Sequence, residues 1–560
     1  MVDSTVVNST VAVSTALLMP DRAGYSPGEE VTIDFGTPLA SDGELHVTQL
    51  HHVLRTVLVD AGATSASLGQ FECGGYGVRF AAADGTGGAT AFDVLATPFA
   101  RPRYGFVVRL TSDVDIDAVA RNFRRMHLNI AQLYDWAYRH STLMPPSEHY
   151  LDPLGQEREI SVVNRMSQAL SDGGTSPLGY SAVYAIGASE VENWQGSILT
   201  RSDGEPYRLG ENFLVLVDPS EPAWLEHYLA ELERVVRESK IEGFHLDQYG
   251  WPKFARRSDG ASVDLAASFV TLLNAIRERL PDTPFMFNNV NDFPTYATAG
   301  TGQDATYIEV WEPHSTLQDL AGLALSARAH RPEHPPILSA YLSCYRDGEV
   351  RANAAAALVM ATAWSHGASH LLLGEDGNAL VHPYYPDNHP LAAGSLDFFA
   401  TWYDFQVRYG DLFYGPEHAD VTEFFTGGIN EDVVFEHGST RFSTKAEAGA
   451  VWTRVVRTPH GLVVHLINLV SQSETRWDAG KSETSVIGHG DPIVVKIAPI
   501  NPGSSVWFAA PESPEMIQLT PTGMGAGRQH DALSAGQSSV VFELPPLAEW
   551  GIVLIPIDGS

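Results

Sequence analysis

The sequence predicts a multidomain α/β protein: a central (β/α)8 barrel of the TIM type, flanked by an N-terminal, immunoglobulin-like β-sandwich and a C-terminal antiparallel β domain. Three observations predict it. Between Tyr104 and Tyr414, eight apolar runs of strand length are mostly separated by amphipathic helical stretches, the pattern of a parallel sheet with crossover helices. Before them, period-two alternation is broken by glycine-rich turns. Beyond Gly415 the chain returns to strands, with no helical stripe of useful length. The predicted domains span 1–100, 101–415 and 416–560.

In the first domain, Val31, Ile33 and Phe35 alternate with Thr32 and Asp34 after the turn Tyr25 to Glu30. Leu45/Val47 and Tyr76/Val78/Phe80 read as further half-buried strands, separated by Gly74-Gly75 and the Asp84 to Gly88 turn. The predicted barrel strands are Phe106–Leu110, Asn129–Tyr134, Ser181–Ile186, Phe244–Asp247, Phe285–Asn288, Tyr307–Trp311, Ile337–Leu342 and Leu371–Gly374. The helix after the first strand carries Asp113, Asp115 and Asp117 at its start and Arg121, Arg124 and Arg125 at its end, as the helix dipole favours. Ser220 is expected to cap the helix whose apolar stripe runs from Trp224 to Val236, and Asp264 starts another. The Asp203-Gly204 turn predicts an added hairpin between Ile198 and Val217. Leu462–Asn468, Ile493–Ile497, Val540–Leu544 and Gly551–Ile555 are the expected C-terminal strands.

A net charge of −33 argues against nucleic acid or an anionic membrane surface as partner and fits a neutral substrate. The two cysteines, Cys73 and Cys344, exclude a disulfide framework and read as buried free thiols in different domains. No stretch of about 20 apolar residues occurs. An acid stands in Met1-Val2-Asp3-Ser4 where a signal peptide carries lysine or arginine, and Val11 to Met19 is weakly apolar. The chain therefore reads as cytoplasmic as written, and as secreted if an export signal has been removed. Oligomeric state stays open.

Barrel chemistry sits at the C-terminal ends of strands. There the sequence places Asp135, Trp136 and His140 after strand two, Asp247, Gln248 and Tyr249 after strand four, and Asn288, Asn289 and Asn291 after strand five. Strand six supplies Glu309, Trp311 and Glu312, and strand eight supplies Glu375 and Asp376, with Tyr384 and Tyr385 beyond. Carboxylates and amides hydrogen-bond sugar hydroxyls, and aromatic faces stack on sugar C–H surfaces, so the inventory suggests glycoside hydrolysis. It lacks the lysine or arginine cluster that would hold phosphate.

A single acid at a strand end is as often a helix cap as a catalyst. Asp247 escapes that reading because Gln248-Tyr249-Gly250-Trp251-Pro252 continues as loop. Glu309 lies inside an apolar run, where an unpaired ionised acid would be expensive, so it is either paired or catalytic. Asp135 is equally a substrate contact or a structural acceptor, and His245 a sugar ligand or a satisfied core residue. No zinc spacing, phosphate loop, dinucleotide fingerprint or nucleophile elbow is present, and the expected metal set is none. No cofactor is required; a structural calcium stays open. Retaining and inverting geometries are both open at this point.

With these residues in hand, the chain resembles glycoside hydrolase family 66, the family of endo-dextranases and cycloisomaltooligosaccharide glucanotransferases. The resemblance rests on Gln132-Leu133-Tyr134-Asp135-Trp136-Ala137-Tyr138-Arg139-His140, Gly243 to Gly250, Tyr307-Ile308-Glu309-Val310-Trp311 and the Gly367 to Glu375 run. It implies Asp247 as nucleophile and Glu309 as acid/base of a retaining enzyme acting on α-1,6-linked glucan, dextran or isomaltooligosaccharide. It further implies Asp135 and Asp376 as holders of glucose hydroxyls and Trp136, Trp311 and Tyr385 as stacking surfaces. His140, His245, Gln248, Tyr249, Asn289 and Glu375 complete the expected substrate-binding set. Cyclising members carry a carbohydrate-binding module in the second half of the barrel. Between Glu309 and Tyr385 this chain has only enough residues for the last two strands and their helices, which favours hydrolysis over cyclic or elongated products. A non-catalytic carbohydrate-binding protein is the reading from another class.

Overall fold

The computed structural model describes residues 17–498, 505–525 and 539–556. Met1 to Ser4 and Val11 to Ala16, read above for an export signal, lie outside them. Eight parallel strands form the central sheet: β1 (Tyr104–Val107), β2 (Ile130–Leu133), β3 (Ser176–Ala182), β4 (Gly243–Asp247), β5 (Phe285–Asn288), β6 (Ala305–Glu309), β7 (Ile337–Ser339) and β8 (Ser369–His370). Each pairs with the next in chain order. A single bridge, Phe106 to Gly374, closes β8 onto β1. The (β/α)8 barrel expected from the sequence is the observed architecture.

The helices begin where local chemistry dictates. Asp115 accepts a bond from Ala118 N–H at 2.9 Å and caps Ile116–Arg125, whose last turn carries Arg124 and Arg125. Asp264 caps Leu265–Arg279 as expected. Ser220 is not a cap. Glu221 takes that role for Pro222–Glu238, accepting from Ala223 N–H and Trp224 N–H, because proline at the first helical position moves the boundary one residue on. The Ser220 hydroxyl donates to Asp218 instead.

Strand three is also corrected. The β-branched and aromatic run from Ser181 to Ile186 invited the assignment, yet the barrel strand is Ser176–Ala182, with Pro177 and Gly179 inside it. Gly179 is required by packing: a Cβ there would lie 2.5 Å from the Trp136 indole nitrogen. Ala185–Gly187 instead pairs with Leu214–Leu216 in a small sheet above the barrel, completed by Arg208–Leu209. This sheet includes the expected excursion around Asp203-Gly204, where Gly204 has φ +88°. Strand eight pairs at Ser369–His370, before the expected Leu371–Gly374. Gly374 lies so close to β1 that a Cβ would fall 2.5 Å from Phe106.

Two antiparallel sheets share one apolar core at the N-terminal end: Leu18–Pro20, Val31–Phe35 and Ser65–Gly69 against Gly43–Gln49, His52–Val59, Gly74–Ala82 and Gly87–Val94. This sandwich grips the barrel on both sides of its closing bridge. Arg103, just before β1, makes a buried two-pronged pair with Asp93 at 2.7 and 2.9 Å. On the chain beyond β8, Asp404 accepts from Thr90 at 3.0 Å and Asp411 from Gly75 N–H at 3.0 Å. The C-terminal sheets include all four expected strands and add Ala450–Thr458; Arg441–Ser443 pairs with it in parallel, so that region is not wholly antiparallel. Cys344 is buried, but Cys73 is exposed, contrary to expectation, because it sits in a surface turn before Gly74–Ala82. Among the described residues no helix is long and apolar enough to cross a membrane.

Candidate active site

A cavity of about 450 Å³ opens at the C-terminal ends of the barrel strands. The final residues of β4, β5 and β6 are Asp247, Asn288 and Glu309, and all three face it. Asn288 Nδ2 donates to Asp247 Oδ1 at 2.7 Å and to Glu309 Oε2 at 3.1 Å. Two such bonds from one nitrogen hold these oxygens within about 6 Å of each other. Tyr180 donates to Asp247 Oδ2 at 2.7 Å, and Tyr341 to Glu309 Oε1 at 2.6 Å. Every carboxylate oxygen of the pair therefore has a fixed donor. No lysine or arginine lines the cavity among the described residues.

Burial raises the pKa of Asp247, and the nearby Glu309 raises it further, against the bonds from Tyr180 and Asn288. Burial raises Glu309 as well, opposed by Tyr341 and Asn288. Ionising one acid disfavours ionising the other, so they titrate as a pair. Asp135 is pushed up to about 7, chiefly by burial and then by Asp152, with Arg158 opposing. Arg158 is committed to Asp152 at 2.8 Å. Burial lowers His245 to about 3 and, with Arg139, lowers His140 to about 4, so both imidazoles are neutral. His245 Nδ1 meets the Tyr104 hydroxyl at 2.8 Å, and its ring stacks with Tyr104 and Tyr180.

Of the residues singled out from the sequence, Asp135, His140, His245, Asp247, Gln248, Tyr249, Glu309, Trp311 and Tyr385 line this cavity. Trp311 is 40% exposed and free to stack on a ligand. Tyr385 is buried and stacked on Tyr134 at 4.4 Å, which makes it part of the floor. The Gln248 amide is spent on Asn288 O and Phe293 O, both at 3.0 Å. Four expected residues lie elsewhere. Trp136 is fully buried behind Gly179, because Asp135 takes a left-handed conformation (φ +44°) and turns the chain away from the cavity. Asn289 points into the wall, where it bonds Phe287 O, Tyr307 O and Thr298. Glu375 accepts from Val108 N–H and Arg109 N–H at 3.0 and 2.9 Å and completes the closure of the barrel. Asp376 pairs with Arg109 on the outer rim.

Sequence reasoning missed Tyr180 and Tyr341, and it noticed Asn288 without assigning it to the site. The signal for Asn288 was available: Phe285-Met286-Phe287-Asn288 ends an apolar run on a polar residue, as β4 and β6 do. Leu209, Phe213 and Leu214 reach the cavity from the added excursion, and His382 and Tyr384 from the loop after β8. Among the described residues no group of three or more His, Cys, Asp or Glu is arranged to hold a metal ion.

Two cycloisomaltooligosaccharide glucanotransferases of Niallia circulans are similar in sequence, at 24% identity over 369 residues and 23% over 372. Each alignment covers 58% of this chain and 38% of the relative, so the chain spans well under half the length of the curated relatives it matches. The crystal structure of a Paenibacillus sp. cycloisomaltooligosaccharide glucanotransferase complexed with cycloisomaltoheptaose superposes with a TM-score of 0.84 at 18% identity, covering 97% of this chain and 99% of that one. The sequence profile of glycosyl hydrolase family 66 matches residues 20–554, both flanking β regions and the barrel included. On that match, the chain belongs to glycosyl hydrolase family 66.

Proposed function

We propose that the protein is a retaining glycosidase that cleaves α-1,6-glucosidic linkages of dextran or isomaltooligosaccharides through a covalent glucosyl-aspartate intermediate. The observation that carries this reading is the pair of bonds from Asn288 to Asp247 and Glu309. It keeps the two bonded oxygens within about 6 Å, short of the about 6.5–9.5 Å separation that leaves room for a water in inverting enzymes. Burial raises both acids, so the pair shares one proton; in this reading it sits on Glu309, and Asp247, with two donors at 2.7 Å, carries the negative charge. Glu309 protonates the leaving oxygen while Asp247 attacks C1. The resulting carboxylate of Glu309 then takes the proton of the water that releases the sugar.

Proton NMR of the first product formed from isomaltotriose tests the stereochemistry. The α-anomer is expected first, and the β-anomer first refutes the retaining reading. Asp247→Asn and Glu309→Gln are expected to lose at least about 10³-fold in turnover while keeping the fold. An unchanged rate in either returns the site to sugar binding without catalysis. Transfer to sugar acceptors is the second reading, and the glucanotransferase names of the relatives favour it. Cyclic or elongated products outweighing free glucose and short isomaltooligosaccharides on a chromatogram would establish it as the main activity.

A further inference from the structure

A second concavity of about 220 Å³ abuts the cavity on the Glu309 side. The two share Trp311, Tyr341, His382 and Pro383; beyond these, the second is walled by Arg476 and Trp477 from the C-terminal β region. That wall is firmly built. Trp477 N–H donates to Ser315 O at 3.1 Å, its indole N–H to His314 O at 2.8 Å, and Leu317 N–H to Thr475 O at 2.8 Å. Residues 475–477 are thus stitched to the loop that carries Trp311. Arg476 is fixed by Asp478 through bonds of 3.1 and 2.8 Å and lies 3.5 Å from Glu312, yet 47% of its side chain is exposed. Its guanidinium has five N–H donors, so some remain for a ligand. The exposed indole of Trp311 beside a fixed guanidinium suits a sugar, which offers a C–H surface for stacking and hydroxyls that accept hydrogen bonds.

We infer that this groove binds glucosyl units on the leaving-group side of the cleaved bond and receives sugar acceptors during transfer. The inference rests on the proposed roles of Asp247 and Glu309: the general acid stands on the leaving-group side, and Trp311 follows it by two residues on the same strand end. Once Asp247 holds the glucosyl unit, a sugar seated in the groove presents a hydroxyl to C1. The acceptor oxygen bonds to C1, the ester bond from C1 to Asp247 breaks, and the hydroxyl proton passes to the Glu309 carboxylate. Water performs the same step when the groove is empty, so occupancy of the groove divides transfer from hydrolysis.

Arg476→Ala removes the guanidinium, and Ser343→Trp fills the groove from an exposed position on its wall. Both variants and wild type are compared on para-nitrophenyl α-isomaltoside and on isomaltooligosaccharides of increasing length. Both variants are expected to keep the wild-type circular dichroism spectrum and Tm and to lose about tenfold in the ratio of transfer to hydrolysis on the isomaltooligosaccharides, the scale of one lost charge-assisted hydrogen bond. An unchanged ratio and unchanged length dependence in both variants overturn the groove alone. A wild-type protein that releases nothing from any α-1,6-glucan overturns the proposed function, and the inference with it.

Discussion

Asn288→Ala removes the one donor that both acids share. Asp247 keeps the bond from Tyr180 and Glu309 the bond from Tyr341, so each loses one of its two fixed contacts. A hydrogen bond to a charged group contributes about 1.5–3 kcal/mol. The bond keeps Asp247 ionised and aimed at C1, so a loss of that size lowers kcat/KM by about 10- to 150-fold. The direction of the pH effect follows from the same bond. The Asn288 amide holds the pKa of Asp247 down against burial and Glu309. Without it Asp247 protonates at higher pH, and the acidic limb of the profile moves up. The assay is the pH dependence of kcat/KM on para-nitrophenyl α-isomaltoside, with circular dichroism and Tm as controls for folding. A folded variant with kcat/KM within twofold of wild type and an unmoved acidic limb would refute the argument.

Three further predictions concern stability. Asp93→Ala strands Arg103 in a buried site and should cost about 3–5 kcal/mol, read as a lower urea midpoint; an unchanged midpoint would sink it. Asp135 is raised to about 7 in the folded protein, so stability is lost as pH rises from its unfolded value near 4 through 7. Asp135→Asn should therefore raise Tm at pH 8 while leaving it nearly unchanged at pH 4, and an equal or lower Tm at pH 8 contradicts the burial argument. Burial, with Arg454 close by, lowers His465 well below its ordinary value. The unfolded chain then binds the proton first, and stability falls as pH drops below about 6.5. His465→Leu should flatten the Tm profile between pH 7 and pH 5; a profile as steep as wild type would be the contrary result.

Asp247 was legible in the sequence because loop rather than helix follows it, and Glu309 because it lies inside an apolar run, where an unpaired ionised acid is expensive. Tyr180 was hidden by a proline and a glycine that made its strand read as loop. Those residues are there because Trp136 packs against the glycine, a contact between segments about 40 residues apart that local pattern does not record. Tyr341 lies inside the predicted Ile337–Leu342 strand, and the run gives no hint of which way its hydroxyl points. Trp136, Asn289, Glu375 and Asp376 were placed at the correct rim by chain position, but direction decides function there. A left-handed residue at Asp135, and another at Asp376 (φ +56°), set that direction. The small sheet that brings Leu209, Phe213 and Leu214 to the cavity was visible only as an excursion, since its strands are two or three residues long.

The ring of strands is split on one side and held there by a clasp. One bridge and the Glu375 carboxylate close it from within, and the N-terminal sandwich reaches across the split to Arg103 on one bank and to Asp404 and Asp411 on the other. The sandwich is thereby a fastener as well as a neighbour. A chain trimmed to the barrel would keep every acid of the cavity and lose the buckle that keeps the hoop shut. Amide exchange at Val108 and Arg109 would then be the first to quicken.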